Sequence, residues 1–104
     1  FKGVMAENYV LQSLVRQFGN SQYYWTSGNM AEVEFVLQAD GKIIPIEVKA
    51  DKNVTAKSLA YYRKQYAPQL SVRLSTLNMC KDDDLLNLPL YLVDKMSRFV
   101  SVAD

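Results

Sequence analysis

The sequence predicts a mixed α/β (α+β) domain, in which helices cover both faces of one central mixed sheet. Apolar residues at spacings of three and four indicate two helices, and alternating apolar residues indicate strands between and after them. The second helix joins two strands, which favours a parallel, right-handed crossover. The predicted order is helix, strand, strand, strand, helix, then one or two strands, within a single domain of residues 1–104.

Composition limits the chemistry that this chain can carry. It has 104 residues, 49% of them hydrophobic, which is enough for one hydrophobic core. Its net charge of +1 indicates no general polyanion-binding surface. With no His and a single Cys, it lacks the ligands for zinc and the base for a Ser-His-Asp or Cys-His site. A bound metal would need oxygen ligands, which favours Mg²⁺ or Mn²⁺.

The same composition gives expectations about location and cofactors. The lone Cys80 permits no internal disulfide and predicts a cytoplasmic protein. No apolar run is long enough to cross a membrane. The chain has no glycine loop that would cradle phosphates, so we expect no nucleotide site in it.

Residues 3–18 are predicted to form the first helix, ended by Gly19-Asn20. Its inner stripe is predicted at Val10, Leu11, Leu14 and Phe18. Glu7 falls on the same stripe, where a buried carboxylate needs an explanation. One explanation is that the helix dipole favours an anion in the first turns. The other is that Glu7 points into a cluster on the hairpin that follows.

A short aromatic strand is predicted at residues 22–26, followed by a turn at residues 27–29. Its aromatic residues, Tyr23, Tyr24 and Trp25, are interpreted as core packing rather than as base-stacking groups.

Residues 31–49 are predicted to form a hairpin, because two apolar runs flank Asp40-Gly41. With these two residues as the turn, Ala39 pairs with Lys42. Counting outward, Glu34 lies opposite Glu47 and Glu32 lies opposite Lys49. Alternation places Val33, Phe35 and Leu37 on one face, and Glu32, Glu34 and Val36 on the other. Carboxylates facing each other across a ladder repel, and a cation between them would remove that cost.

The second helix is predicted from an N-cap at Thr55 to about Ala67, where Pro68 ends it. Its inner stripe is predicted at Leu59, Tyr62 and Tyr66. Its basic residues, Lys57, Arg63 and Lys64, are interpreted as a solvated face, with phosphate contacts as the alternative.

Residues 70–77 alternate and predict a half-buried strand. The charged run at residues 81–84 is interpreted as a solvated turn. Residues 88–93 are predicted to form an edge strand because of Pro89, and residues 96–102 a weak helix or a strand end. Pro45 is expected where the ladder needs no hydrogen bond.

Acidic residues in the first helix and second strand, followed by Glu47-x-Lys49 and a helix, resemble the restriction-endonuclease-like superfamily, whose pattern is written PD…(D/E)xK. The chain is more closely similar to the C-terminal domain of unknown function that follows AAA-type ATPase domains in bacteria and archaea. The resembling segments are Gly3…Ala6-Glu7-Asn8-Tyr9-Val10, Tyr24-Trp25, Ala31-Glu32-Val33-Glu34-Phe35-Val36, Ile44-Pro45-Ile46-Glu47-Val48-Lys49 and Leu88-Pro89-Leu90-Tyr91.

The resemblance implies a role for each matching residue. Glu34, Glu47 and the backbone carbonyl of Val48 would hold Mg²⁺ or Mn²⁺. Lys49 would orient the attacking water and steady the phosphate, and Glu7 would assist as an extra ligand or support. Two departures stand out: Glu34 occupies a position where the family usually has Asp, which leaves Glu32 as an alternative ligand, and the proline before the acid is absent.

The resemblance implies a metal-dependent nuclease-like domain that follows an AAA-type ATPase domain in the same chain and hydrolyses phosphodiester bonds in nucleic acid, with DNA as a candidate partner. The alternative is a catalytically silent interaction, assembly or DNA-binding module of that ATPase, in which Glu47 and Lys49 form a structural ion pair with Glu32 or Glu34. Under either hypothesis we expect residues 1–104 to be part of a longer protein.

Overall fold

The fold is a six-stranded mixed sheet with helices packed against it, as seen in a computed structural model that describes residues 4–19, 22–27, 31–50 and 57–102. The elements are α1 (Val4–Phe18), β1 (Gln22–Ser27), β2 (Ala31–Ala39), β3 (Lys42–Lys49), α2 (Lys57–Tyr66), β4 (Ser71–Ser75), β5 (Cys80–Asp82), β6 (Leu85–Pro89), a 3-10 segment (Leu90–Lys95) and α3 (Met96–Val102). The predicted mixed α+β class is confirmed.

The strand order in the sheet is β1-β2-β3-β4-β6-β5. Strands β1, β2 and β3 pair antiparallel, β3, β4 and β6 pair parallel, and β5 returns antiparallel to β6. The predicted parallel connection through α2 is therefore confirmed. Strand β4 was predicted to be half-buried, and that prediction is wrong: Ser71 and Ser75 are as fully buried as Val72 and Leu74. The reason is its place inside a parallel sheet that is covered on both faces.

The hairpin turn has the predicted geometry. Asp40 and Gly41 both have positive φ, at 52° and 74°, as a two-residue primed turn requires. Ala39 pairs with Lys42, and the ladder continues to the pair of Phe35 with Ile46. Hydrogen-bonded pairs alternate along such a ladder, so Pro45 falls in a pair that needs no bond from it. It also lies one residue before the β3–β4 ladder begins at Ile46, so its predicted position is confirmed.

A β-bulge interrupts β2 beside the predicted site. The register of β1 against β2 shifts between Tyr23 and Trp25, where two residues of β2, Glu34 and Phe35, face one residue of β1. A bulge re-aims the side chains around it.

The bulge changes which residues share a face. Val33 and Val36, three residues apart, pack in one cluster with Tyr62 of α2, whereas Phe35 and Leu37 belong to the main core. The predicted grouping of Val33 with Phe35 and Leu37 is therefore wrong, because strict alternation ends at the extra residue.

The main core lies between the sheet and α1, with α3 and the 3-10 segment closing one side. Its fully buried members include Val10, Leu14, Leu37, Ile44, Ile46, Val72, Leu74, Leu88, Val93 and Met96. On α1 the predicted inner position Leu11 is wrong, since it is 39% exposed, while Ser13 is fully buried. The helix is rotated because Ser13 and Gln17 bond to the 3-10 segment.

These bonds fasten α1 to the C-terminal part of the chain. Ser13 Oγ donates to Asp94 Oδ1 over 2.5 Å, and Arg16 Nη2 and the Tyr9 hydroxyl donate to the same carboxylate. Gln17 Nε2 donates to the Val93 carbonyl over 2.7 Å, and its Oε1 accepts from the Ser97 amide over 2.9 Å. The α1 position that carries Glu7 is thereby fixed against the sheet.

Helix α2 packs on the opposite face, mainly against β2 and β3, so both faces carry helices as predicted. Leu59 and Tyr62 are buried, but Tyr66 is 55% exposed, so its predicted place on the inner stripe is wrong. Tyr66 is the last helical residue, and Ala67 leaves the helix with a φ of 46°. Lys57 and Lys64 are exposed, whereas Arg63 is half-buried and bonded to Asp84.

The C-terminal elements differ from the prediction in three respects. Strand β6 ends at Pro89, so the predicted strand over residues 88–93 is wrong beyond that point and becomes a 3-10 segment. It is an inner strand, because Cys80–Asp82, which were not predicted as a strand, form the edge. In the charged run, residues 81 and 82 belong to strand β5 and residues 83 and 84 form a turn. Residues 96–102 form a helix.

Some predictions concern residues outside the described ranges. They are the helix start at Gly3, the turn partner Asn20, the turn at Gly28 and Asn29, and the N-cap Thr55. None of the described helices is both long and apolar enough to cross a membrane.

Candidate functional site

Glu47 and Lys49 form an ion pair on β3. Lys49 Nζ lies 3.5 Å from Glu47 Oε1, and Glu47 is only 6% exposed. Within the described part of the chain, its buried Oε2 atom has no hydrogen-bond partner. Burial raises the pKa of Glu47, and the Lys49 ammonium offsets part of that rise. Strand β3 thus presents one buried carboxylate oxygen that a cation could satisfy.

Glu34 and Glu7 form a second pair, between β2 and α1. Their side chains are joined by a hydrogen bond, so Glu7 points into the hairpin cluster, as the second explanation for its position required. Burial, followed by the bond to Glu7 and its charge, raises the pKa of Glu34 to about 8, with Glu47 and Glu32 adding to the rise. Glu34 is therefore mostly protonated at neutral pH and can donate that bond.

The structure brings the predicted residues together as two linked pairs. Glu7 bonds to Glu34, Glu47 pairs with Lys49, and the charge of Glu47 acts on Glu34. Val48, whose carbonyl was expected to help hold the metal, directs its side chain into the main core. The described residues contain no group of three acidic, His or Cys side chains arranged to hold a metal.

The donor set partly fits Mg²⁺ or Mn²⁺. Carboxylate oxygens are the hard ligands that these ions prefer, and the unpartnered Oε2 of Glu47 is one such oxygen. Glu34 can be a second ligand only after it loses its proton, which a nearby cation favours by lowering its pKa. A site with two carboxylates is thus consistent with these residues, whereas the described part of the chain forms no site with three.

Arg73 and Asn87 extend the site and were not predicted to belong to it. Arg73 is the β4 partner of Glu47, and its charge lowers the pKa of that carboxyl. Asn87 Oδ1 accepts from Arg73 Nε over 3.0 Å and from Ser75 Oγ over 2.7 Å. The available signal was a single amide within the apolar strand Leu85–Pro89.

An open cavity of about 360 Å³ lies where three parallel strands end. Its lining includes Ala50, which follows β3, Ser75, which is the last residue of β4, and Pro89, which is the last residue of β6. Tyr9 and Tyr91 also line it. In open sheets of this kind, ligands bind in the crevice outside the carboxyl ends of the strands. Lys49, the last residue of β3, directly precedes Ala50.

The fold and the site thus define a mixed α+β domain that carries a buried cluster of carboxylates and a lysine on a central hairpin. A family model described as "Domain of unknown function (DUF4143)" matches residues 2–91, and the chain belongs to that family. This family is known to follow AAA-type ATPase domains, which confirms the closer of the two resemblances. No curated protein and no solved structure matches the chain.

Proposed function

We propose that this domain is a divalent-metal-dependent, nuclease-like domain that hydrolyses phosphodiester bonds in nucleic acid. The observation that carries the proposal is the cluster itself: Glu34 of β2 lies within electrostatic reach of Glu7 of α1 and Glu47 of β3, and Glu47 is paired with Lys49. A carboxyl whose pKa is raised as far as that of Glu34 is typical of a functional site.

Each residue has a defined task under this proposal. Glu34, Glu47 and the Val48 carbonyl would hold the metal, which when bound stabilises negative charge on the phosphoryl oxygens. Lys49 supplies a positive charge to those same oxygens and orients the attacking water. Glu7 holds the carboxyl of Glu34 in place through their hydrogen bond.

The proposal extends to the setting of the domain. A restriction-endonuclease-like core is consistent with the parallel β3-α2-β4 unit that follows an antiparallel hairpin. Membership of a family that follows AAA-type ATPase domains supports an ATPase domain earlier in the same chain. We propose DNA as the nucleic acid on which the pair acts. The single exposed Cys80 supports a cytoplasmic location.

A second candidate is a catalytically silent interaction or assembly module of that ATPase. Two observations favour it. The hydrogen bond between Glu34 and Glu7 lets one proton relieve their repulsion, and Glu47 is already paired with Lys49. A cluster whose charges are offset in this way needs no metal to balance them.

Thermal melting with and without millimolar Mn²⁺ separates the two candidates. For a nuclease-like site, we expect Mn²⁺ to raise the melting temperature of the wild type but not that of Glu47→Ala. Saturation at a hundredfold over Kd stabilises the folded state by about 2.7 kcal/mol. Asp82→Ala is the matched control, since Asp82 is an exposed acid on the edge strand β5, and it should respond like the wild type.

If the wild type does not respond to Mn²⁺, the interaction module becomes the better account. In that case Glu47→Leu should raise the melting temperature, because it removes a buried carboxylate and its repulsion from the other acids. If Mn²⁺ does stabilise the wild type, cleavage of DNA and RNA by wild type and Glu47→Ala is the next comparison.

A further inference from the structure

We propose that Arg73, held in place by Asn87, forms with Lys49 a binding site for a phosphate group of the nucleic-acid strand. The identity of the ligand as a phosphodiester rests on the proposed function, whereas the anion site itself rests on the geometry of β3, β4 and β6.

The two cations lie on the same face of the sheet. Ile46 and Val48 of β3 point into the main core, so the alternating residues Glu47 and Lys49 point to the opposite face. In β4, Val72 and Leu74 point into that core, so Arg73 also points away from it.

The register sets the spacing between the two cations. Glu47 pairs with Arg73, and Lys49 pairs with Ser75. With adjacent strands about 4.8 Å apart and a rise of about 3.3 Å per residue, the Cα atoms of Arg73 and Lys49 lie about 8 Å apart. Two side chains of this length can both reach one phosphate from that separation.

The Arg73 guanidinium is fixed at one end and available at the other. Its Nε donates to Asn87 Oδ1 over 3.0 Å, which sets the plane of the group. In the described part of the chain, neither of its terminal nitrogens has a hydrogen-bond or ion-pair partner. A planar fork with free donors is the geometry that binds phosphate oxygens in a bidentate manner.

Asn87 is built to hold this arrangement. It is 3% exposed, and its amide nitrogen donates to the carbonyls of Leu77 and Asn78 over 3.2 and 3.0 Å. Its oxygen accepts from Ser75 as well as from Arg73. Every polar atom of this buried side chain is thus hydrogen-bonded. These bonds hold Asn87 in one orientation, and its oxygen in turn fixes the direction of the Arg73 guanidinium.

The charges on this face suit a singly charged anion. Lys49 and Arg73 contribute two positive charges and Glu47 one negative charge, which leaves a net charge of +1 on the three side chains. A phosphodiester group carries one negative charge and would balance it. The cavity beyond Ala50 and Ser75 gives a strand open space to continue past this point.

The test is the salt dependence of binding of a short single-stranded oligonucleotide in EDTA, so that no metal takes part. A contact with one phosphate contributes about 0.7 to the slope of log K against log salt for single strands. We expect Arg73→Gln to lower the slope by about 0.7 and to weaken binding roughly tenfold at low salt. Arg98→Gln, which removes an exposed arginine of α3, is the matched control and should leave both unchanged.

Two further binding measurements identify the ligand and the role of the planar Arg73 guanidinium. Arg73→Lys keeps the charge but loses the planar donors, so we expect weaker binding with an unchanged slope. Inorganic phosphate should compete with the oligonucleotide only at far higher concentration, because it offers a single group. If phosphate alone binds and the oligonucleotide does not, the phosphodiester assignment is overturned.

The inference fails if Arg73→Gln keeps the wild-type slope and affinity. That failure differs from failure of the proposed function, which is read from Mn²⁺ melting. If Arg73→Gln weakens binding but Mn²⁺ does not raise the melting temperature, the phosphate site is supported and the metal site is not. If Mn²⁺ raises the melting temperature but Arg73→Gln binds like the wild type, the metal site is supported and the phosphate site is not. Melting of each variant without ligand checks its fold, and if Arg73→Gln does not fold, the expected loss of affinity in Arg73→Lys decides the question.

Discussion

The side chains of Glu7 in α1 and Glu34 in β2 are hydrogen-bonded to each other, and this bond joins the first helix to the bulged strand of the central hairpin. One proton between the two carboxyls replaces a repulsion with an attraction. The bulge at Glu34 and Phe35 includes one member of this pair, and a bulge re-aims the side chains around it. The acidic cluster is therefore a property of the packed helix and hairpin rather than of the hairpin alone.

Stability should fall as the pH rises from about 5 to about 8.5. Burial and the neighbouring acids raise the pKa of Glu34 to about 8 in the folded state from the ordinary carboxyl value of 4.5, so the folded state binds more protons in this interval. Stability is then highest below the unfolded pKa and is lost as the pH rises through the folded pKa. The raised pKa of Glu47 adds a contribution of the same sign. Urea unfolding at pH 5, 7 and 8.5 measures this slope.

Glu34→Gln is the variant that identifies the group responsible. It cannot ionise, so the decline in the urea midpoint between pH 5 and 8.5 should become shallower than in the wild type. Glu32→Gln, at an exposed position on the same strand, serves as the comparison and should retain most of the decline. An unchanged slope in Glu34→Gln would show that the carboxyl of Glu34 titrates normally.

Ser13→Ala should destabilise the fold more than Arg16→Gln does. Ser13 is fully buried and donates to Asp94, and its hydroxyl also accepts from Gln17 Nε2 over 2.8 Å. Loss of such hydrogen bonds costs about 1 kcal/mol. Arg16 makes an exposed ion pair with the same carboxylate, which is worth less. Equilibrium unfolding in urea compares the variants, and equal effects would contradict the importance of the buried hydroxyl.

Gly41→Ala should cost about 1 kcal/mol of stability through the backbone alone. Gly41 has a φ of 74°, and no atom lies within 4 Å of the position that a Cβ would occupy. The cost therefore reflects the left-handed conformation and not a clash. Asp40→Asn is the control, because Asn tolerates the positive φ of the first turn residue as well as Asp does. A neutral Gly41→Ala in urea unfolding would mean that the turn relaxes to another type.

The hairpin was predictable because its determinants are local. Asp40 and Gly41 favour the positive φ values of a primed turn, and that turn fixes Ala39 against Lys42 and the pairs that follow. The placement of Glu47 and Lys49 on one face follows from alternation in β3, where no bulge intervenes. The mixed sheet and its parallel crossover also followed from the order of helices and strands.

The bulge, the rotation of α1 and the edge strand β5 were not predictable in this way. The extra residue at Glu34 and Phe35 is defined only by pairing with β1, and Leu11 turns outward because Ser13 bonds to Asp94 near the other end of the chain. Short strands such as Cys80–Asp82 have no pattern of their own and form by pairing with a neighbour.

Local sequence is enough to specify the Asp40-Gly41 turn and the alternation around Glu47 and Lys49, and the absence of His limits the ligands and bases that the chain can offer. The packed fold is needed to bring Glu7 against Glu34, to raise the pKa of Glu34 through burial and the neighbouring acids, and to let Asn87 fix Arg73 beside the cluster. The physical reason is that pKa values and side-chain directions depend on burial and on neighbours brought together by the fold, which no local pattern records.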